Sequence, residues 1–373
     1  MALREDPRLE EARALALDGI ADRLGLSSAL ARVGPELVGP CPVCGGRDRF
    51  AINTRKATFL CRKCDGRGDG IDLVRFVLGL DFAGALRWLV GDAPAVIDPA
   101  ERARRAKQSE RARQDQEARA ARERAKAIEA ARGIWRNGRP IEATAAADYL
   151  DRRGLRALVA HPPACLRFHP ALPYMIRRGD GAGWREVHRG PALLAAIQGP
   201  DGRFCGVHRT WLDLTRPKGK AEITHDGAEL PAKKVLGSKK GGAIRLVRPK
   251  GAALLVMGEG IETTATAAIA ELHDGAAYWA GIDLGNMAGR RKLGQGLRYA
   301  GIPDLSDGEA FIPPEGVARL IYIADGDSDP KLTRAQLLAG LRRAMALRPG
   351  LRGSILHPGD GCDLNDLLMT SAA

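Results

Sequence analysis

Along this chain the spacing of apolar positions changes repeatedly, and each change marks an expected element boundary. Residues 9–32 carry Leu15, Leu17, Ile20, Leu24 and Leu30 at intervals that predict one amphipathic helix. Residues 38–68 lose that period and read as short strands joined by turns. After Gly68-Asp69-Gly70 the helical period returns in IDLVRFVLGL and FAGALRWLVG, whose Ile71, Val74, Leu78, Leu86 and Leu89 are expected to pack over the preceding strands. Residues 100–132 hold one large aliphatic residue, Ile128, so they have no coiled-coil seam. Their Ala content and pairs such as Glu101–Arg105 and Asp115–Arg119 predict a solvated helical linker. From Trp135 to Pro249 short strands dominate. FCGVHRTWLD alternates with Phe204, Gly206 and His208 on one side and Cys205, Val207 and Arg209 on the other. The last 123 residues interleave apolar strands (ALLVMGE, AAYWAGI, RLIYIAD, GSILHPG) with helices, which predicts a mainly parallel α/β sheet. The expected fold class is α+β multidomain.

The strand-and-turn region holds two pairs, Cys41-x-x-Cys44 and Cys61-x-x-Cys64, separated by 16 residues. Each pair offers two thiolates from one turn, and a hairpin of that length returns the second pair to the first. The spacing predicts a closed four-thiolate zinc ribbon with no position left open for substrate water. Disulfides or redox motifs are the alternative, but redox Cys-x-x-Cys motifs come singly within a βαβ pattern that is missing here. Cys165, Cys205 and Cys362 have no framework spacing, which fits a reducing cytoplasm. Between the pairs lie Arg47, Arg49, Arg55, Lys56, Arg62 and Lys63 against Asp48, with Phe50 and Phe59 interleaved. Two readings of the phenylalanines stay open: base-stacking on a strand face, or packing behind the zinc.

Charge sharpens this picture. The formal charge is +13 and the pI about 9.7, which points to a polyanionic partner. Residues 251–373 hold 15 Asp and Glu against 11 Lys and Arg, whereas the first 250 hold 47 Lys and Arg against 30 acids. No 18-residue apolar run predicts a membrane span, and the start lacks the apolar core of a signal peptide.

The acids of the C-terminal segment cluster where strands end. ALLVMGE ends at Glu259, RLIYIAD leads into Asp325, Asp327 and Asp329, and the last strand precedes Asp360, Asp363 and Asp366. Functional groups of open parallel sheets gather at the carboxyl ends of strands. Hard oxygen ligands of this kind suit Mg2+ or Mn2+. The competing reading of Asp325–Asp329 is a turn that caps the next helix. The seven histidines show no ligand spacing and read as ordinary surface or core residues.

GEGIETTATA, IADGDSD and GDGCDLNDLL resemble the glutamate, paired-aspartate and closing motifs of the Toprim domain. CPVCGGRDRFAI…FLCRKC…GDGIDLV resembles the zinc-binding domain of bacterial and phage DNA primases. The middle segment, RFHPALPY…GRFCGVHRTWLD…KKVLGSKKGGAIRL, is similar to phage- and plasmid-borne primases. Replicative bacterial primases usually have a His among the zinc ligands, whereas this set is all Cys. No P-loop lysine motif is present in these residues, and the helicase-docking helices of replicative primases are not expected among them.

The resemblance implies a primase-type zinc-binding domain over 1–97, a helical linker over 98–134, a basic α/β middle subdomain over 135–249 and a Toprim domain over 250–373. It implies a cytoplasmic DNA primase with structural Zn2+ and catalytic Mg2+ or Mn2+, acting on single-stranded DNA template and ribonucleoside triphosphates. It leaves room for a separate replicative helicase and needs no membrane. Glu259, Asp325 and Asp327 are the implied principal ligands, with Asp329, Asp363 and Asp366 in support. Arg209, Lys234 and Lys240 are expected phosphate contacts. A Toprim-type nuclease and a non-catalytic nucleic-acid-binding replication accessory are the alternatives. A topoisomerase would need a nucleophilic tyrosine in a separate strand-passage domain.

Overall fold

The computed structural model describes residues 8–64, 66–92, 99–178, 183–271, 273–292, 297–326, 329–359, 361 and 363–371. Asp327, Ser328, Asp360 and Cys362 lie outside them, as do the side chains of Glu101 and Arg105. The chain divides into two compact units, residues 1–120 with 175–186, and residues 121–174 with 187–373.

The first unit opens with α1 (Arg8–Ala14), α2 (Leu17–Arg23) and a 3-10 turn over Ser27–Ala29. The single helix expected over 9–32 is therefore broken. Leu15 and Leu17 would stand about 200° apart on one helix, and the break lets Leu17, Ile20 and Ala21 bury together. Gly25, at φ 70, then ends the helical run, and Leu30 leads into a strand. Five antiparallel strands follow in sequential order: β1 (Ala31–Val33), β2 (Glu36–Cys41), β3 (Gly45–Asn53), β4 (Thr58–Cys61) and β5 (Arg67–Gly68).

Asp69 caps α3 (Gly70–Leu78) by accepting from the Ile71 and Asp72 N–H groups, and Asp81 caps α4 (Phe82–Val90). Ile71, Val74, Leu86 and Leu89 join the core as expected, but Leu78 is 43% exposed because α3 ends there. Phe50 and Phe59 are fully buried and pack with Phe76 at ring separations of 5.4 to 6.4 Å. They form core behind the cysteines and present no face for base stacking.

The linker is a helix, α5 (Pro99–Asn137), whose described side chains from Ala103 to Lys126 are all exposed.

In the second unit α6 (Ala145–Arg152) and α7 (Arg156–Ala160) precede β6 (Leu166–Arg177), β7 (Trp184–Gln198) and β8 (Phe204–Trp211), residues 175–177 of β6 and 184–186 of β7 being counted with the first unit. A small hairpin follows, β9 (Ile223–His225) with β10 (Ala228–Leu230), then β11 (Lys233–Gly237). The sheet order is β11-β8-β7-β6, with β8 antiparallel to both of its neighbours. The remaining elements are β12 (Ile244–Val247), β13 (Leu254–Gly258), α8 (Ile261–Ile269), β14 (Ala277–Ala280), α9 (Leu284–Ala288), β15 (Arg319–Ile323), α10 (Pro330–Leu347), β16 (Arg352–Leu356) and α11 (Leu364–Ser371).

They build a second sheet of order β12-β14-β13-β15-β16. The last four strands are parallel, and β12 is an antiparallel edge. The β13, β14 and β15 strands are apolar and almost wholly buried, as strands covered on both faces must be. The backbones of Gln198 and Ala243 exchange two hydrogen bonds of 2.9 Å, which tie the end of β7 to the start of β12.

Candidate active site and zinc centre

In the first unit, β2 and β3 meet through a register shift next to Cys41, and Cys61 pairs with Phe50 at the end of β4. The two cysteine turns therefore face each other. Cys41 Sγ lies 3.7 Å from Cys64 Sγ, and Cys44 Sγ lies 3.6 Å from Cys61 Sγ. Four sulfurs on one tetrahedral zinc at ~2.3 Å would stand ~3.8 Å apart, so the set fits that ion. Backbone N–H groups of Cys44 and Lys63 point at Cys41 and Cys61 sulfur, each at 3.5 Å. Burial opposes charge on Cys61, but the N–H groups of Cys64 and Lys63 and the neighbouring thiols outweigh it and bring it down to about 7. Burial and the adjacent Cys61 sulfur push Cys64 up to about 12. So dense a thiol cluster ionises fully only with a cation among the sulfurs. Among the described residues these are the one group of three or more candidate ligands within 4.8 Å of one another. The chain has a four-cysteine zinc-binding site.

In the second unit, β13 and β15 are parallel neighbours with Met257 opposite Tyr322, so their carboxyl ends open side by side. Thr264 fixes the turn after β13. Its hydroxyl accepts from Gly258 N at 3.2 Å and donates to Gly260 O at 2.7 Å. A Cβ on Gly258 would stand 2.8 Å from that hydroxyl, so the turn requires glycine there. Glu259 follows it. Its carbonyl accepts from the N–H of Ile282, a β-branched residue at φ 79. Such backbone is strained and persists where surrounding structure imposes it.

The turn opens on a cavity of about 230 Å³. Glu259, Asp325 and Asp363 line it together with Arg153, Lys218, Lys220, Lys233, His208 and Glu262. Acids from three strand-end segments thus line one cavity. They do not close to within 4.8 Å of one another, and Asp327 lies outside the described residues.

The other expected residues stand elsewhere. Asp329 caps α10, accepting from Lys331 N at 3.0 Å and Leu332 N at 3.1 Å. Asp366 pairs with Arg153 at 3.7 Å and Lys218 at 4.0 Å. Arg209, Lys234 and Lys240 are absent from the cavity lining. The buried Arg209 guanidinium lies 5.3 Å from the Trp211 ring, and the Lys234 ammonium 4.4 Å from that of Tyr174. Lys240 pairs with Glu309.

The cavity also holds residues that sequence reasoning passed over. Glu262, in the first turn of α8, is buried and accepts from the Tyr149 hydroxyl and from Lys233 at 3.1 Å, and pairs with Lys220 at 3.2 Å. Burial alone would raise its carboxyl, but the charges of Lys233 and Lys220 outweigh that and hold it well below the carboxylate range. His208 is buried beside them, and its Nδ1 has no hydrogen-bond partner among the described residues. Burial, with the charge of Lys233, pushes it down to about 4, so it is neutral at pH 7. The signal that could have found these groups is strand parity. Val235 opposes His208 and Lys233 opposes Thr210 across β11 and β8, so Lys233 shares the face of His208 and Lys234 that of Arg209.

Residues 38–71 match the family described as "Zinc-binding domain of primase-helicase", and residues 125–246 match "Domain of unknown function (DUF7146)". Among solved structures, the chain is similar to the zinc-binding and RNA polymerase domains of Aquifex aeolicus primase, at 14% identity and TM-score 0.33, over 98% of this chain and 83% of that one. It is similar to a DNA primase domain from Pseudomonas aeruginosa at 17% identity and TM-score 0.34, over 61% and 68% of the two chains. The primase fragment of the bacteriophage T7 primase-helicase matches at 13% identity and TM-score 0.28, over 90% and 94%. At these TM-scores the likeness assigns neither fold nor activity.

Proposed function

We propose that this chain is a DNA primase of the phage- or plasmid-borne type, which makes short RNA primers on single-stranded DNA. The observation that carries this reading is the cavity in which Glu259, Asp325 and Asp363 share space with Arg153, Lys218, Lys220 and Lys233. A carboxylate set beside a cationic set is the pairing that a metal-bound triphosphate requires. The match of residues 38–71 to a primase-helicase zinc domain supports the same reading.

In this proposal residues 1–97 grip template, 98–134 link, 135–249 form the basic middle subdomain, and 250–373 form a Toprim domain. Glu259, Asp325 and Asp363, with Asp327, would hold Mg2+ or Mn2+, which when bound supplies neutralisation of phosphate charge. Lys220, Lys233, Lys218 and Arg153 hold the triphosphate while the primer 3′-oxygen, its proton lost to solvent, bonds to the α-phosphorus and the bond to the departing pyrophosphate breaks. Asp366 acts at one remove by holding Arg153 and Lys218, and Asp329 acts by fixing the start of α10. Arg209 and Lys234 then serve the opposite face of the β11-β8-β7-β6 sheet. A cytoplasmic site of action and a separate replicative helicase complete the proposal.

The test is incorporation of labelled ribonucleotides on single-stranded DNA with Mg2+ or Mn2+. Template-dependent primers are expected. Cleavage of the DNA without synthesis would establish the Toprim-type nuclease instead, and binding without either reaction would establish an accessory.

A further inference from the structure

Two glutamates three residues apart, Glu259 and Glu262, border the same cavity. Glu262 has both carboxylate oxygens engaged, Oε1 by Lys220 at 3.2 Å and by the Tyr149 hydroxyl, Oε2 by Lys233 at 3.1 Å. Its side chain is 8% exposed, whereas those of Lys220 and Lys233 are 26% and 36% exposed. An incoming divalent cation would meet two ammonium groups before it met this carboxylate. An incoming anion would meet them first.

We infer that Glu262 is a positioning residue that holds Lys220 and Lys233 side by side as one grip for the phosphate chain of a nucleoside triphosphate, and that it binds no metal. The inference rests on the nucleotidyl-transfer reading above. Lys220 lies in the loop after β8, bridged to Leu212, and Lys233 starts β11. Backbone pairing brings both to the same end of β8, Lys220 opposite Leu212 and Lys233 opposite Thr210, and the shared carboxylate then holds the two ammonium groups together. One negative and two positive charges leave the trio with a surplus of one, to which Arg153 and Lys218 add on the same cavity. Each ammonium has three N–H donors and spends one on Glu262, so donors remain for phosphate oxygens. Burial works against the charge of Lys220, and Glu262 opposes that loss. Without the carboxylate the two ammonium groups would repel, and one would swing away or shed its proton.

The experiment measures equilibrium binding of radiolabelled ATP to the full chain with Mg2+ and no template, with inorganic triphosphate as competitor, and Mn2+ binding by water-proton relaxation. Glu262→Gln is expected to weaken ATP binding tenfold or more and leave Mn2+ binding unchanged. The triple variant Glu262→Gln, Lys220→Met, Lys233→Met should bind ATP no more weakly than the double lysine variant, because the glutamate acts through the lysines. Glu262→Asp keeps the charge with a shorter reach and should give an intermediate affinity, which serves if the Gln variant does not fold.

Equal ATP affinity in wild type and the folded Glu262 variants would overturn the positioning role while leaving the primase reading intact. So would additive losses in the triple variant, the mark of a purely structural role. Loss of Mn2+ binding on Glu262→Gln would show a metal ligand instead. Failure of the wild-type chain to bind ATP would overturn the nucleotidyl-transfer reading itself.

Discussion

Lys233 and Lys234 are adjacent on β11 yet serve opposite faces of one sheet, Lys233 reaching Glu262 at 3.1 Å and Lys234 standing 4.4 Å from the Tyr174 ring. The first contributes charge to the cavity. The second lies over the ring of Tyr174, which packs with Trp211 at a centroid distance of 4.6 Å. Strand parity therefore decides which lysine reaches the cavity.

Asp325 lies where two parallel strands end and lines the cavity. Asp325→Asn keeps shape but removes charge, so primer synthesis should fall by on the order of 100-fold or more while melting temperature holds. Asp327→Asn should behave alike. Ribonucleotide incorporation and thermal melting measured together check this, and full synthesis by Asp325→Asn would remove it from the metal-binding set.

Asp329 is expected to matter for stability rather than for rate, because its carboxylate caps α10. Asp329→Ala should cost about 1 kcal/mol, and Asp329→Asn, which caps equally well, should be close to neutral in both stability and synthesis. Denaturant melts of the two variants test the pair. A loss of synthesis on Asp329→Asn would return the residue to the metal-binding set.

His208 sets a pH dependence of folding. Its folded value of about 4 lies below its ordinary 6.5. The unfolded chain therefore takes up a proton first as pH falls. The contribution of the neutral imidazole is fully present above pH 6.5 and is lost as pH drops toward 4, on the order of 3 kcal/mol in all. Lys233, Lys220, Arg209 and Glu262 are the charged groups around it. Unfolding free energies between pH 7 and 4 should show a shallower slope in His208→Gln than in wild type, and identical slopes would contradict the assignment.

Zinc should be bound at one ion per chain, and Cys61→Ser should release it. Closed thiolate sites contribute on the order of 10 kcal/mol to folding. The fold of residues 38–71 should collapse to a protease-sensitive form while the second unit keeps its own melting transition. Elemental analysis and limited proteolysis decide it, and retention of zinc by the variant would disprove the ligand set.

What the sequence revealed depended on how local the cause was. The four cysteines announce their site because two short turns and one hairpin create it. The β13 and β15 strands announce themselves because long buried strands need uninterrupted apolar residues, and Glu259 and Asp325 inherit their position from strand ends. The helix expected over 9–32 failed because the stripe drawn through Leu15 and Leu17 ignores their angular separation. Arg209 and Lys234 were favoured over His208 and Lys233 because the composition of a basic segment does not say which face of a strand turns to the cavity. Glu262 became visible only when α8, β11 and the Lys220 loop met, a contact that no short window of sequence contains.

The antiparallel strand β12 lies before residue 250, yet it completes the sheet that follows. A recombinant fragment that opened at Gly251 would keep Glu259 and Asp325 but leave Ala277–Ala280 as a bare rim, with the buried Tyr278 and Trp279 beside unpaired backbone groups. Such rims recruit strands from other copies. A soluble C-terminal piece must therefore begin upstream of Ile244, and a self-associating one is the expected product of cutting at the apparent motif boundary.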